Sequence, residues 1–93
     1  MHNLDWTEFA GAEGAVYRVT TPEGAYELTL ETAAELPHSG RDGGSFRLVF
    51  RGPFEPILAQ AIYPLEAGNL ACEMFIVPIS RDDSGTLYEA IFN

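Results

Sequence analysis

Apolar and polar side chains alternate along most of this chain with a period of two, the signature of half-buried strands. Tyr17 and Val19 alternate with Arg18 and Thr20, which predicts a first strand over 15–20. Tyr26, Leu28 and Leu30 alternate with Glu27, Thr29 and Glu31, which predicts a second over 25–36. In a third, over 46–52, Phe46, Leu48 and Phe50 face inward while Arg47, Val49 and Arg51 face outward. Further runs over 57–65, 70–79 and 86–92 bring the expected strands to six. Turn chemistry separates them: Thr21-Pro22-Glu23-Gly24, Glu66-Ala67-Gly68-Asn69 and Arg81-Asp82-Asp83-Ser84-Gly85. Between the third and fourth runs, Gly52-Pro53-Phe54-Glu55-Pro56 lacks two amide donors, so no central strand passes through it.

The ends of the pattern add detail. Over 3–12 a short helix is expected, with Asp5 as cap and Glu8 completing a capping box. Its Trp6 and Phe9 are suited to plugging one open end of a β structure. The 36–45 stretch, with Pro37, Gly40, Gly43 and Gly44, is expected to be a flexible loop. Charges suggest a register for the second and third strands. With Thr29 opposite Val49, Glu27 meets Arg51 and Glu31 meets Arg47, while Leu28 meets Phe50 and Leu30 meets Leu48. A turn centred on Ala67-Gly68 sets Tyr63 opposite Cys72. The whole predicts one all-β domain over 1–93: a six-stranded antiparallel meander curled into a small barrel, with a two-sheet sandwich as the alternative.

Several runs are apolar on both faces. Met74 and Ile76 cannot share a face with Phe75 and Val77, and Leu87 and Ile91 oppose Tyr88 and Phe92. A surplus of this kind marks strands covered twice, by their own core and by something else. Phe75, Val77, Tyr88 and Phe92 are therefore candidate interaction residues, joined by His38 and Arg41 of the polar loop. Gln60 and Tyr63 are candidate buried polar groups, an amide and a phenol in an apolar run, where each would need a hydrogen-bond partner.

Composition narrows the partners. The chain has 93 residues, a net charge of −9, five arginines and no lysine. That balance disfavours nucleic acid and anionic membranes and leaves protein as the expected partner, a second copy included. No signal peptide or transmembrane run is visible, so a cytoplasmic location is expected. Cys72 is the only cysteine, which leaves no internal disulfide. A Cys72–His38 nucleophile pair is outweighed by the apolar setting of Cys72, where a thiol acts as a small hydrophobe. Asp82-Asp83-Ser84 lacks the spacing of a calcium loop and reads as a hairpin tip. No cofactor or metal site and no catalytic set emerge.

Taken together, Phe46-x-Leu48-x-Phe50-x-Gly52-Pro53, Leu58-x-Gln60-x-x-Tyr63-x-Leu65, Phe75-Ile76-Val77-Pro78 and Tyr88-Glu89-Ala90-x-Phe92-Asn93 form a pattern, and Phe9, Gly14 and Tyr17-x-Val19 extend it. In these residues the chain resembles a bacterial domain family of about this length, labelled only as a domain of unknown function. The resemblance implies a small bacterial protein whose relatives occur near phage-tail-collar-like or secreted-structure genes. It supplies no catalytic residues, and its recurring positions imply a corner, a buried amide, core aromatics and a closing strand. Ala71-Cys72 and the acidic surface depart from the family's pattern. The expected function is a non-enzymatic structural or protein-interaction module, accessory to a phage-tail-like or secreted assembly. The alternative is a small-molecule-binding barrel.

Overall fold

The computed structural model describes residues 4–37 and 44–92. Six strands follow an N-terminal turn: β1 (Val16–Thr21), β2 (Gly24–Glu35), β3 (Phe46–Gly52), β4 (Ala61–Ala67), β5 (Leu70–Asp82) and β6 (Gly85–Phe92). All pair antiparallel and close into one barrel in the order β1-β2-β3-β6-β5-β4. The closed six-stranded antiparallel barrel is as the pattern predicts, but its strand order is not that of a meander. β3 lies beside β6, and β4 closes against β1, a Greek-key arrangement. The cause is the Pro53–Pro56 connection, which cannot make a tight hairpin. The chain instead crosses the barrel end and delivers β4 to the far side.

Alternation decides what fills the interior. Val19, Leu28, Leu30, Phe46, Leu48, Phe50, Leu65, Ile76 and Tyr88 are all 0% exposed. One end holds a cluster of rings: Phe46 stacks on Phe92 at 4.6 Å and meets Phe9 at 5.5 Å, while Tyr17 sets its edge to Phe50 at 5.4 Å. The expected helix is only a 3-10 turn, Trp6–Glu8. Its capping box is present: Asp5 accepts from the Thr7 amide, and Glu8 accepts from the Asp5 amide at 2.8 Å. One turn suffices because Phe9 is held by the barrel rings, not by helical hydrogen bonds.

Three local expectations are corrected. β4 begins at Ala61, not at 57, because Ile57–Gln60 belongs to the crossing connection. The β4–β5 turn is centred on Gly68-Asn69, with Ala67 paired to Leu70, so Tyr63 faces Met74 and Leu65 faces Cys72. Gly68 takes φ +57°, as a two-residue hairpin turn requires. Between β2 and β3, Thr29 meets Arg51 and Leu30 meets Phe50, two residues from the predicted pairing. A bulge at Glu31 then shifts the ladder again, so that Thr32 meets Val49. The slips at Thr29 and in β4–β5 are even and keep those side chains on their predicted faces, whereas the bulge adds one residue and turns Ala33, opposite Leu48, toward the core.

Close packing also explains the corner glycines. A Cβ on Gly52 would lie 2.6 Å from Leu28 Cδ2, and one on Gly85, at φ +133°, would collide with the Gly52 carbonyl. The β3 end and the β5–β6 hairpin are thus pressed together, and both frame the crossing connection.

Candidate functional site

Outward positions divide the barrel wall into two kinds of surface. On β1, β2 and β3 they carry cross-strand charge pairs. Arg51 donates to Glu31 at 2.5 Å and to Asp82 at 2.8 Å, which ties β3 to β2 and β5. Arg47 reaches Glu89 of β6 at 2.5 Å. Arg18 sits in register between Glu27 of β2 and Glu66 of β4. The Arg51 guanidinium is held firmly protonated by its hydrogen bonds to Glu31 and Asp82. The Asp82 carboxyl is correspondingly pulled below its usual range, first by Arg51 and then by the Ser84 amide.

In the middle of β4 and β5 and at the end of β6 the outward positions are apolar. Ile62 and Phe75 are direct cross-strand partners and are 64% and 50% exposed. Val77 follows Phe75 on the same face of β5, and Ile79 beyond it is also exposed. Ile91, opposite Arg47 on β6, extends the patch and is 49% exposed. Its acidic border is Glu73, two residues before Phe75 and opposite Pro64, with Glu66 next along β4. Contiguous exposed apolar side chains with a polar rim are the usual mark of a contact surface.

The predicted interaction residues therefore separate. Phe75 and Val77 lie on the outer face, as expected. Tyr88 and Phe92 do not: Tyr88 is fully buried and Phe92 stacks on Phe46 inside the barrel. Period two states that alternate residues share a face, but in β6 both sets are apolar, so it cannot choose the inner one. The tie is broken by β3, whose inward Phe46 and Phe50 stand opposite Phe92 and Tyr88. His38 and Arg41 lie outside the described residues. Ile62, Ile79 and Ile91 were not singled out by the sequence, although doubly apolar runs were their signal.

Gln60 is exposed and not a buried amide, since it belongs to the crossing connection. The phenol that does hold this region from within is Tyr88, whose hydroxyl accepts from the Leu58 amide at 2.9 Å. Tyr63 is half-buried and donates to the Ala59 carbonyl at 2.7 Å. The Phe54 carbonyl accepts from Arg81 Nε at 3.0 Å, and the Arg81 guanidinium lies 3.5 Å above the Phe54 ring. The connection is thus pinned at Phe54 and at Leu58. Between it and the β1–β2 hairpin lies a cleft lined by Thr21, Glu23, Tyr26, Ile57, Ala59 and Tyr63. A second recess, which shares Tyr26, Pro56 and Ile57 with it, is lined in addition by Glu55 and Arg81.

Cys72 points inward beside Leu65 and is half-buried. Burial, with Glu8 nearby, pushes its thiol up to about 11, the reverse of what a nucleophilic thiolate needs. Among the described residues no group of three or more His, Cys, Asp or Glu side chains is placed to hold a metal ion. Nor is any helix among them long and apolar enough to cross a membrane.

No curated protein and no solved structure matches this chain. A family does, over residues 4–92, which takes in the N-terminal turn and all six strands. By that match the chain belongs to the family described as a domain of unknown function, DUF6916.

Proposed function

We propose that this protein is a non-enzymatic interaction module whose docking surface is the outer face of β4, β5 and the end of β6. The observation that carries the proposal is the Ile62–Phe75 pair, two large apolar side chains left at least half exposed in the middle of a paired sheet. The partner that fits is a protein surface with an apolar centre and basic side chains around it. Glu66 and Glu73 border the patch, and the described arginines already face acids of their own chain. A second copy of this chain would bring a second −9 charge to the contact, which favours a different protein. The resemblance of the sequence to its family extends this reading to an accessory of a phage-tail-like or secreted assembly.

The test is a comparison of tagged wild-type protein with Ile62→Ser and Phe75→Ser in cells of the native host, after thermal melts show the variants folded. One or more partners captured by wild type and lost from both variants is the expected result. An identical set of captured proteins in all three samples would remove the outer face from consideration. Light scattering of the purified chain separates out self-association.

A further inference from the structure

The cleft beside the β1–β2 hairpin is lined by none of the exposed residues of the outer face and has its own chemistry. Its shape is built in, because the connection that forms one wall is fastened at Leu58 to Tyr88 and at Phe54 to Arg81 and Thr86. The opposite wall, the β1–β2 hairpin, is closed by Thr21, which donates to the Gly24 carbonyl and accepts from the Glu23 amide. Between these walls lie two tyrosines, Tyr26 and Tyr63, with Pro56, Ile57 and Ala59. Tyr26 is half-buried, with part of its ring against the core and part lining the cleft, and among the described residues its hydroxyl makes no hydrogen bond.

Charge decides what such a cleft would take. Its lining carries one acidic side chain, Glu23, and the adjoining recess adds Glu55 and Arg81. Arg81 is already committed to the Phe54 ring, the Phe54 carbonyl and Glu55. That leaves a negative, aromatic, partly apolar recess in a strongly acidic protein. We propose that this cleft binds an organic cation, a guanidinium or ammonium group on an apolar stem, with the stem against Ile57 and Pro56 and the charge near Glu23 and the tyrosine rings. Aromatic faces attract such cations, and carboxylates at the rim strengthen the attraction. The same chemistry arrives either as a free small molecule or as an arginine or lysine side chain of an extended peptide.

The experiment is a titration of the isotopically labelled full chain, followed by the amide signals of Thr21, Glu23, Leu58 and Ala59. The ligands are butylguanidinium, acetyl-Pro-Arg-Pro amide, and the controls butanol and butyrate. Saturable shifts at these amides with both cations, in the millimolar range or tighter, are expected, and none with the controls. Glu23→Gln, an exposed substitution, should weaken binding about 3-fold or more, and Tyr26→Leu by a similar factor. A peptide that binds more tightly than butylguanidinium assigns the cleft to peptide side chains, and equal or weaker binding assigns it to free cations. Shifts that do not saturate, that occur equally with butyrate or butanol, or that ignore both substitutions would overturn the proposal.

Discussion

The outer walls of β3 and β5 face solvent with the same strand geometry and opposite chemistry. On β3 the outward residues are Arg47, Val49 and Arg51, and both arginines are drawn into cross-strand ion pairs. Val49 between them is nearly buried, at 6% exposure. Outward on β5 stand Phe75 and Val77, and Phe75 meets an isoleucine on β4 that is more exposed still. The β3 wall shows how this fold covers a strand with water-compatible groups. Its long arginine stems shield the apolar residue between them while the charged ends find acids. The apolar choice on β5 is what the docking proposal explains.

Inside the barrel the two walls are alike, and this makes the comparison testable at neighbouring positions. Ile76 points into the core at 0% exposure and Phe75 points out. Ile76→Ala should cost about 2–5 kcal/mol by denaturant unfolding, the usual range for such a core truncation. Phe75→Ala should cost under about 1 kcal/mol, as surface substitutions do. A large loss at Phe75 would mean that the patch serves the fold and not a partner.

The next effect concerns the crossing connection. Tyr88→Phe leaves the buried Leu58 amide without its acceptor, and about 1–3 kcal/mol of stability should go with it. Amide exchange at Leu58 should accelerate in the same variant. Unchanged exchange would show that the connection is held by its other contacts, at Phe54.

The smallest effect is on the charged wall and depends on pH. The folded-state pKa of Asp82 is lowered, so its contribution is complete above the ordinary aspartate value near 3.8 and is lost as pH falls through the lower folded value. Asp82→Asn should therefore flatten the acid side of the stability curve and leave the neutral and alkaline side nearly parallel to wild type. Both groups of the pair face solvent, so the difference should shrink in high salt. A variant curve that diverges only above neutral pH would assign Asp82 another role.

How much of this was legible in the sequence follows from what a period of two can say. It names faces, and the inward set Tyr17, Val19, Leu28, Leu30, Phe46, Leu48 and Phe50 is inward in the barrel. It does not name neighbours. The pairings of β2 with β3 before the bulge and of β4 with β5 each differ from expectation by two residues, the smallest slip that leaves those faces unchanged, and the bulge itself carried no signal in the alternation. Strand order escaped for the same reason, since no local signal says that β3 will lie beside β6. The Ile57–Gln60 segment reads as a strand because its apolar residues suit one. Their role is to cross a barrel end, with only Leu58 pointing into the core. Of the candidate site, Phe75 and Val77 were legible as surplus apolar residues. The cleft was not, because Glu23, Tyr26, Ile57 and Tyr63 meet only once β1, β2 and the connection have closed around one end.

If the outer face of β4 and β5 is kept apolar for a partner, quantitative capture from native-host cells will show it with three baits of matched stability: wild type, Phe75→Ser on the apolar wall and Glu31→Ala on the charged wall. At least one partner should fall 10-fold or more with Phe75→Ser and be retained with Glu31→Ala. Equal recovery of every partner by all three baits, or a loss confined to Glu31→Ala, would contradict the docking reading.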